Sequence, residues 1–333
     1  MVATEAGGSS DIFRRVSQVV RIPFVVERNY AGWRLDEYLR QKLRRLDPTR
    51  IPQLIAERLE TANGERVTPE TLVAPGFAFS LLKDAEPEPE TPLHFGVVHE
   101  DGMLLVVDKP AGLPIHPTAR YFLHTFTTIA RQRYPDHKID PAHRLDRETS
   151  GLLACGMAPE WTRALKRSFA DGLVSKTYLA LVAGWPAQDR FEVDVPIGLT
   201  LQSAVRVRMH AHPAGQPSRT SFEVLERRTA PDGTRVALVA CEPRTGRQHQ
   251  IRAHLLVAGT PIVGDKIYGP DELIFDRFTK RAMTDADHAA LRLPRQALHA
   301  WRLAFPHPAT RQQVAFECPL APDLAAFWEG CTP

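Results

Sequence analysis

The residues best suited to chemistry run from 143 to 151, His143-Arg144-Leu145-Asp146-Arg147-Glu148-Thr149-Ser150-Gly151, and lead straight into the apolar Leu152-Leu153-Ala154-Cys155. An aspartate with an arginine on either side, in a polar loop feeding a buried run, has the composition of a site. Opposite charges within a few Å lower an aspartate pKa by roughly 1–3 units, so Asp146 is expected to be ionised at neutral pH, as a base or a nucleophile. The bland alternative is a loop held by ion pairs and backbone N–H groups. On composition alone that alternative is the commoner case.

The elements that must position this loop read as mixed α/β. Met103–Lys109 is a buried strand stopped by Pro110-Ala111-Gly112, and Leu123–Tyr134 is a helix ended by Pro135. Trp161, Leu165 and Phe169 mark one helical face, with Arg163, Lys166 and Arg167 on the others. Strands are expected at Thr177–Val182, Ser221–Arg227, Arg235–Cys241, Leu298–Phe305 and Gln313–Phe316, with residues 270–295 as a surface insertion. Between them, Thr245-Gly246 reads as the start of a helix whose i, i+4 spacing sets Ile251 and Leu255 on one face with Arg252 beside them. Successive strands with few helices between them predict an α+β fold with a mixed, largely antiparallel central sheet.

Ahead of this lies a smaller unit. Residues 1–20, with Gly7-Gly8-Ser9-Ser10, are expected as a flexible leader, and 21–83 as a small α/β domain. Leu35, Tyr38, Leu39 and Leu43 share a helical face, Ile51–Leu59 gives a second helix, and Asn63-Gly64 a turn before strands near Arg66-Val67 and Phe77–Leu82. The acidic, proline-punctuated segment 84–93 reads as a linker, leaving 94–330 as the second domain. At 333 residues, with 43% hydrophobic and 24% charged residues, the chain has the composition of a globular protein of more than one domain. Val19–Val26 is too short, and too interrupted by Arg21 and Pro23, to be a signal or anchor, so a cytoplasmic location is expected. Cys155, Cys241, Cys318 and Cys331 have neither zinc-ligand nor disulfide-framework spacing. A net charge of +3 permits an anionic partner without demanding one.

The opening stretch, as His-Arg-Leu-Asp-x-x-Thr-Ser-Gly, resembles the central motif of the RluA family of pseudouridine synthases. Three more stretches match that family in the same order: Asp101–Pro117 with its Lys109-Pro110-Ala111-Gly112 turn, Ser175-Lys176-Thr177-Tyr178, and Arg244-Thr245-Gly246-Arg247-Gln248-His249-Gln250-Ile251-Arg252. The last is continued by Gly264-Asp265 and Tyr268, and the resemblance spans roughly residues 94–320. It implies a pseudouridine synthase fold preceded by an S-four-like RNA-binding domain, and isomerisation of specific uridines in ribosomal or transfer RNA. The reaction breaks an N-glycosidic bond, turns the uracil and forms a C-glycosidic bond to the same sugar. No redox change or outside group enters, so no cofactor or metal is expected, and no membrane or obligate protein partner.

By resemblance Asp146 is the catalytic aspartate, Arg252 its ion-pair partner, and Tyr178 the residue that stacks on the base and serves proton transfer. Whether the carboxylate stabilises charge at the anomeric carbon, attacks it or takes a sugar proton is left open. Ile251 is expected near the base, with Arg144, Lys176 and Arg247 binding substrate. Arg144 is a candidate to fill the stack vacated by a flipped uridine. Arg40, Lys42, Arg44, Arg45, Arg163, Lys166, Arg167 and Arg247 are candidate phosphate contacts, and Lys109 either a phosphate contact or a structural ion-pair partner. Two other readings are a non-catalytic RNA-binding protein that keeps the fold, and a glycoside hydrolase, which would need a second carboxylate roughly 5–9.5 Å from the first.

Overall fold

Runs of β-branched and apolar residues recur along the chain, and most become strands of two separate sheets. A computed structural model describes residues 19–43, 46–84, 88–118, 121–199, 203, 205 and 207–333. Residues 1–18 of the expected leader, Arg44, Arg45 and residues 85–87 of the expected linker lie outside the described residues. The chain divides into two compact units, Met1–Glu88 and Pro89–Pro333.

The first unit holds β1 (Val19–Val25), α1 (Leu35–Lys42), α2 (Ile51–Arg58), β2 (Leu59–Thr61) and β3 (Ala78–Asp84), with an antiparallel sheet in the order β1-β3-β2. Leu35, Tyr38 and Leu39 of α1 and Ile51 and Ile55 of α2 pack with Phe79 and Leu81 of β3, as their spacing predicts. Two expectations fail. No strand forms at Arg66-Val67; the extended backbone comes earlier, where Leu59 leaves α2 and pairs with Leu81. Strand β1 begins inside the segment expected as a leader. It accommodates Pro23 because β1 lies at a sheet edge, where a proline without an N–H is tolerated.

The second unit is built on a ten-stranded sheet. Its elements are β4 (Gly96–Glu100), β5 (Leu104–Lys109), α3 (Phe126–Arg133), β6 (Asp140–Pro141), β7 (Ser150–Gly156), α4 (Pro159–Ala170), β8 (Ser175–Ala183) and β9 (Arg190–Asp194). A small hairpin of β10 (Ile197–Leu199) and β11 (Met209–Ala211) follows, then β12 (Arg219–Thr229), β13 (Arg235–Pro243) and α5 (Gln250–Val257). The chain continues through α6 (Leu273–Thr279), α7 (Asp285–Leu291), β14 (Leu298–Pro306), β15 (Gln313–Glu317) and α8 (Pro322–Glu329). The sheet order is β4-β5-β7-β14-β8-β13-β12-β9, and only the β7–β14 pairing is parallel among the described strands.

The sheet's central strands are covered on both faces, which explains their unbroken hydrophobicity. Side chains alternate along a strand, so Leu105 and Val107 of β5 meet Phe126 and Ala130 of α3, while Leu104 and Val106 share the opposite layer with Leu165 of α4. Ile251 and Leu255 of α5 join Leu181, Val182 and Val239 in a third cluster. Residues 270–295 are more than a surface insertion: they form α6 and α7, which bury Ile274 and Leu291. No described helix is long and apolar enough to cross a membrane.

Candidate active site

Asp146 lies in the turn that enters β7, closed by Thr149 N–H donating to Asp146 O at 3.1 Å. The backbone around it is pinned by cations. Lys109, fully buried at the end of β5, donates from Nζ to Pro110 O (2.8 Å), Leu113 O (3.0 Å) and Arg147 O (3.1 Å). Phosphate contact is therefore excluded for Lys109, which holds the loop. Burial pushes its pKa down to about 7, but three carbonyl acceptors match the three N–H bonds of an ammonium. Arg295 donates to Glu148 O at 3.1 Å, and Lys266 clasps the Glu148 carboxylate at 3.0 and 3.1 Å. Gly151, at φ +105°, lets β7 close on β14: a Cβ there would stand 2.3 Å from Ala300 O.

Arg252, buried on α5, joins the loop to the rest of the site. Its Nη1 donates to Asp146 Oδ2 at 2.8 Å, while Nε and Nη2 make a two-pronged contact with Asp265 at 2.6 and 2.8 Å. Tyr268 lies under the guanidinium, 5.0 Å from ring centre to carbon. Asp265 is fully buried; burial raises its pKa, but Arg252 and the Ile267 and Tyr268 N–H groups outweigh that and hold it ionised. Asp146 follows the same pattern. Burial pushes its carboxyl up, and the opposite charge of Arg252 with its hydrogen bond brings the balance below the usual carboxylate range. Among the described residues Asp146 Oδ1 accepts no hydrogen bond, so one oxygen is held and the other is free.

The two arginines beside Asp146 differ. Arg144 is exposed and adds its positive charge to the site. Arg147 turns away, bonded to the Tyr121 hydroxyl and to Glu148, so the expectation of a carboxylate flanked by two cations gives way to one neighbour and the distant Arg252. Glu148 is thus committed to Arg147 and Lys266, and Asp265 to Arg252. Neither is free to act as the second carboxylate of a hydrolase.

Asp146 and Arg144 stand between two concavities. A recess of about 90 Å³ is lined by Thr149, Lys176, Tyr178, Ile251, Leu298 and Arg252, and a cleft of about 670 Å³ opens beyond it past His116, Lys166, Val207 and Phe275. Tyr178 presents its hydroxyl there without a hydrogen bond to any described residue; burial and then the charge of Asp146 raise its pKa, so it stays a phenol. Lys176 Nζ donates to Thr245 O at 3.3 Å, and Arg247, exposed, donates from Nε to Pro217 O at 3.3 Å. Arg163 is exposed, whereas Lys166 pairs with Asp140, Arg167 approaches Asp171 at 3.9 Å, Arg40 approaches Asp36 at 3.7 Å and Lys42 pairs with Glu27.

Helix α5 starts at Gln250, not at Thr245-Gly246. Gln250 Oε1 accepts from Thr245 Oγ1 (2.6 Å) and Arg247 N (3.1 Å), folding the preceding residues into a turn, and His249 takes a left-handed φ of +56°. That turn sets His249 Nε2 3.7 Å from Asp146 Oδ2 and Nδ1 3.1 Å from the Tyr268 hydroxyl. Burial and the neighbouring Arg252 push its pKa down to about 4, so the imidazole is neutral at pH 7. His249, Asp265 and Tyr268 stand in the quoted motif, yet sequence reasoning assigned none of them a place. Their one signal was the run of polar residues within an apolar helix and its flank.

The family described as RNA pseudouridylate synthase matches residues 103–256, the span that carries Asp146, Tyr178 and Arg252. The chain is 35% identical over 315 residues to the ribosomal large subunit pseudouridine synthase D of Nitrosomonas europaea, covering 92% of this chain and 86% of that protein. It is also 35% identical over 235 residues to the dual-specificity RNA pseudouridine synthase RluA of Pasteurella multocida, covering 70% and 96%. Among solved structures, human RNA pseudouridylate synthase domain containing 1 superposes with a TM-score of 0.59 at 27% identity, over 74% of this chain and 91% of that one. With the sheet and these relatives in agreement, the chain belongs to the RluA family of RNA pseudouridine synthases, isomerases of uridine in RNA.

Proposed function

We propose that this enzyme isomerises uridines in ribosomal RNA of the large subunit through Asp146, without a cofactor. The observation that carries the mechanism is the division of labour within one carboxylate: Oδ2 is fixed by Arg252, Oδ1 has no hydrogen-bond partner among the described residues, and Asp146 lines a recess together with Tyr178. A uridine inside folded RNA is stacked, so it reaches that oxygen only after being flipped out, at a cost of a few kcal/mol. Arg144, exposed at the mouth, fills the vacated stack with its planar guanidinium. Asp146 then acts at the anomeric carbon as the glycosidic bond breaks. Tyr178 packs on the freed uracil and, being a phenol, passes the C5 proton on only as a donor–acceptor relay.

The choice of ribosomal RNA follows the lengths of the alignments. The named large-subunit synthase aligns over nearly the whole chain, whereas the dual-specificity relative aligns over 235 residues, a length the Pro89–Pro333 unit alone would accommodate. The Met1–Glu88 unit is read as an S-four-like RNA-binding domain that supplies the difference. No step draws on a cofactor, because the bonds broken and formed balance within the nucleotide. RNA labelled with tritium at uridine C5 tests the reading: the enzyme releases tritium, and Asp146→Asn lowers release by about a thousandfold or more. Undiminished release by Asp146→Asn would overturn the mechanism. Mapping pseudouridine in RNA from cells with and without the gene tests the substrate, and a site lost from transfer RNA alone would overturn that part.

A further inference from the structure

The recess beside Asp146 contains a cation that no acid answers. Lys176 and Tyr178 are two residues apart on β8, so their side chains leave the same face of the strand, and both line the recess. Of the three N–H bonds on Lys176 Nζ, one is used, toward Thr245 O. Among the described residues Lys176 has no carboxylate partner. The contrast with the other enclosed lysines is informative: Lys109 spends all three donors on carbonyls, and Lys266 faces Glu148. Across from Lys176 stands Gly246, where a Cβ would lie 3.8 Å from Nζ, so no side chain shields the ammonium on that side. Burial pulls its pKa down.

We propose, building on the reading above, that Lys176 binds a carbonyl oxygen of the target uracil and stabilises the negative charge that the base takes up when its glycosidic bond breaks. Heterolysis of N1–C1′ leaves the electron pair on the base, where it is shared among N1, O2 and O4. A fixed ammonium at O2 or O4 therefore meets charge that is small in the bound uridine and large in the transition state, the condition under which a contact accelerates a reaction. The turned base then forms the C5–C1′ bond, C5 gives up its proton and N1 gains one. No oxidant or outside group is consumed. Burial favours the base over a phosphate as the ligand: Lys176 is half-buried beside Tyr178, Ile251 and Leu298, whereas Arg144 and Arg247, which line the same recess, are exposed.

Single-turnover tritium release and RNA affinity separate the possibilities. Lys176→Met is expected to lower the single-turnover rate about 10²–10³-fold, with Lys176→Arg recovering about tenfold of the loss. RNA binding, measured in the Asp146→Asn background, is expected to change by less than about twofold on adding Lys176→Met, with the same dependence on salt. Weaker binding with a salt slope reduced by about one, at an unchanged single-turnover rate, would assign the ammonium to a phosphate and overturn the proposal. Unchanged rate and unchanged binding would overturn it as well. Thermal unfolding of each variant checks the fold, and Lys176→Gln replaces Lys176→Met if the latter is unstable. Tritium release by the unmodified enzyme and its loss in Asp146→Asn test the underlying reading independently.

Discussion

Arg252 divides one guanidinium between two carboxylates, and each prong has a different task. Asp265 orients the side chain from behind, and the remaining nitrogen fixes Asp146. Lysine carries the charge but lacks the planar fork, so Arg252→Lys leaves one buried carboxylate unanswered. It is expected to cost about 3 kcal/mol of stability and to slow single-turnover isomerisation at least about a hundredfold; urea unfolding and tritium release measure the two. Tyr178→Phe retains the ring on the recess and removes the hydroxyl proposed as a relay, so kcat is expected to fall about 10²–10⁴-fold with KM little altered. A change in KM alone would confine Tyr178 to stacking. At this scale the grouping of Asp146, Tyr178 and Arg252 around one recess was legible through the motifs that resemble the family's. His249 and Asp265 were not, because their roles depend on a left-handed turn and on a partner 13 residues away, which residue type does not announce.

The elements that present these side chains rest on close backbone approach as much as on side-chain packing. Strand β7 lies against β14 with Gly151 opposite Ala300, and no room exists there for a Cβ. Gly151→Ala combines a strained φ with a clash against backbone on a neighbouring strand, and is expected to destabilise the protein by about 3 kcal/mol or more. Denaturant titration measures this, and a loss below about 1 kcal/mol would show that β7 and β14 separate easily. Periodicity located β5, β8, β13 and β14 within a residue or two and marked β7 only as a buried apolar run, because strands buried on both faces show continuous apolar stretches. It misplaced the start of α5 for the same reason that it missed His249: the turn is made by Gln250 reaching back to Thr245, a side-chain contact that propensity does not encode.

Three histidines of the second unit are held neutral at pH 7. Burial pushes His143 down to about 3, and His249 and His299 to about 4, from the usual 6.5. Unfolded, they bind protons near pH 6.5, so between about 6.5 and 4 the unfolded chain holds more protons than the folded one. Stability is therefore expected to be greatest above 6.5 and to fall through that window, before Asp146 and Asp265, whose pKa values are lowered, begin to protonate. Calorimetry across pH 7 to 4.5 checks this, and His143→Gln should flatten the slope; a melting temperature constant over that range would refute it. The sheet order carries a consequence for how the enzyme is made. Strand β14, residues 298–306, lies between β7 and β8, and thereby between the turn holding Asp146 and the strand holding Tyr178. A chain still on the ribosome that has not yet released Leu298 already contains every residue assigned to the reaction, but lacks the strand that brings them together. Any copy that stops before this strand is thus expected to be inert toward RNA, because nothing then holds the turn beside β8.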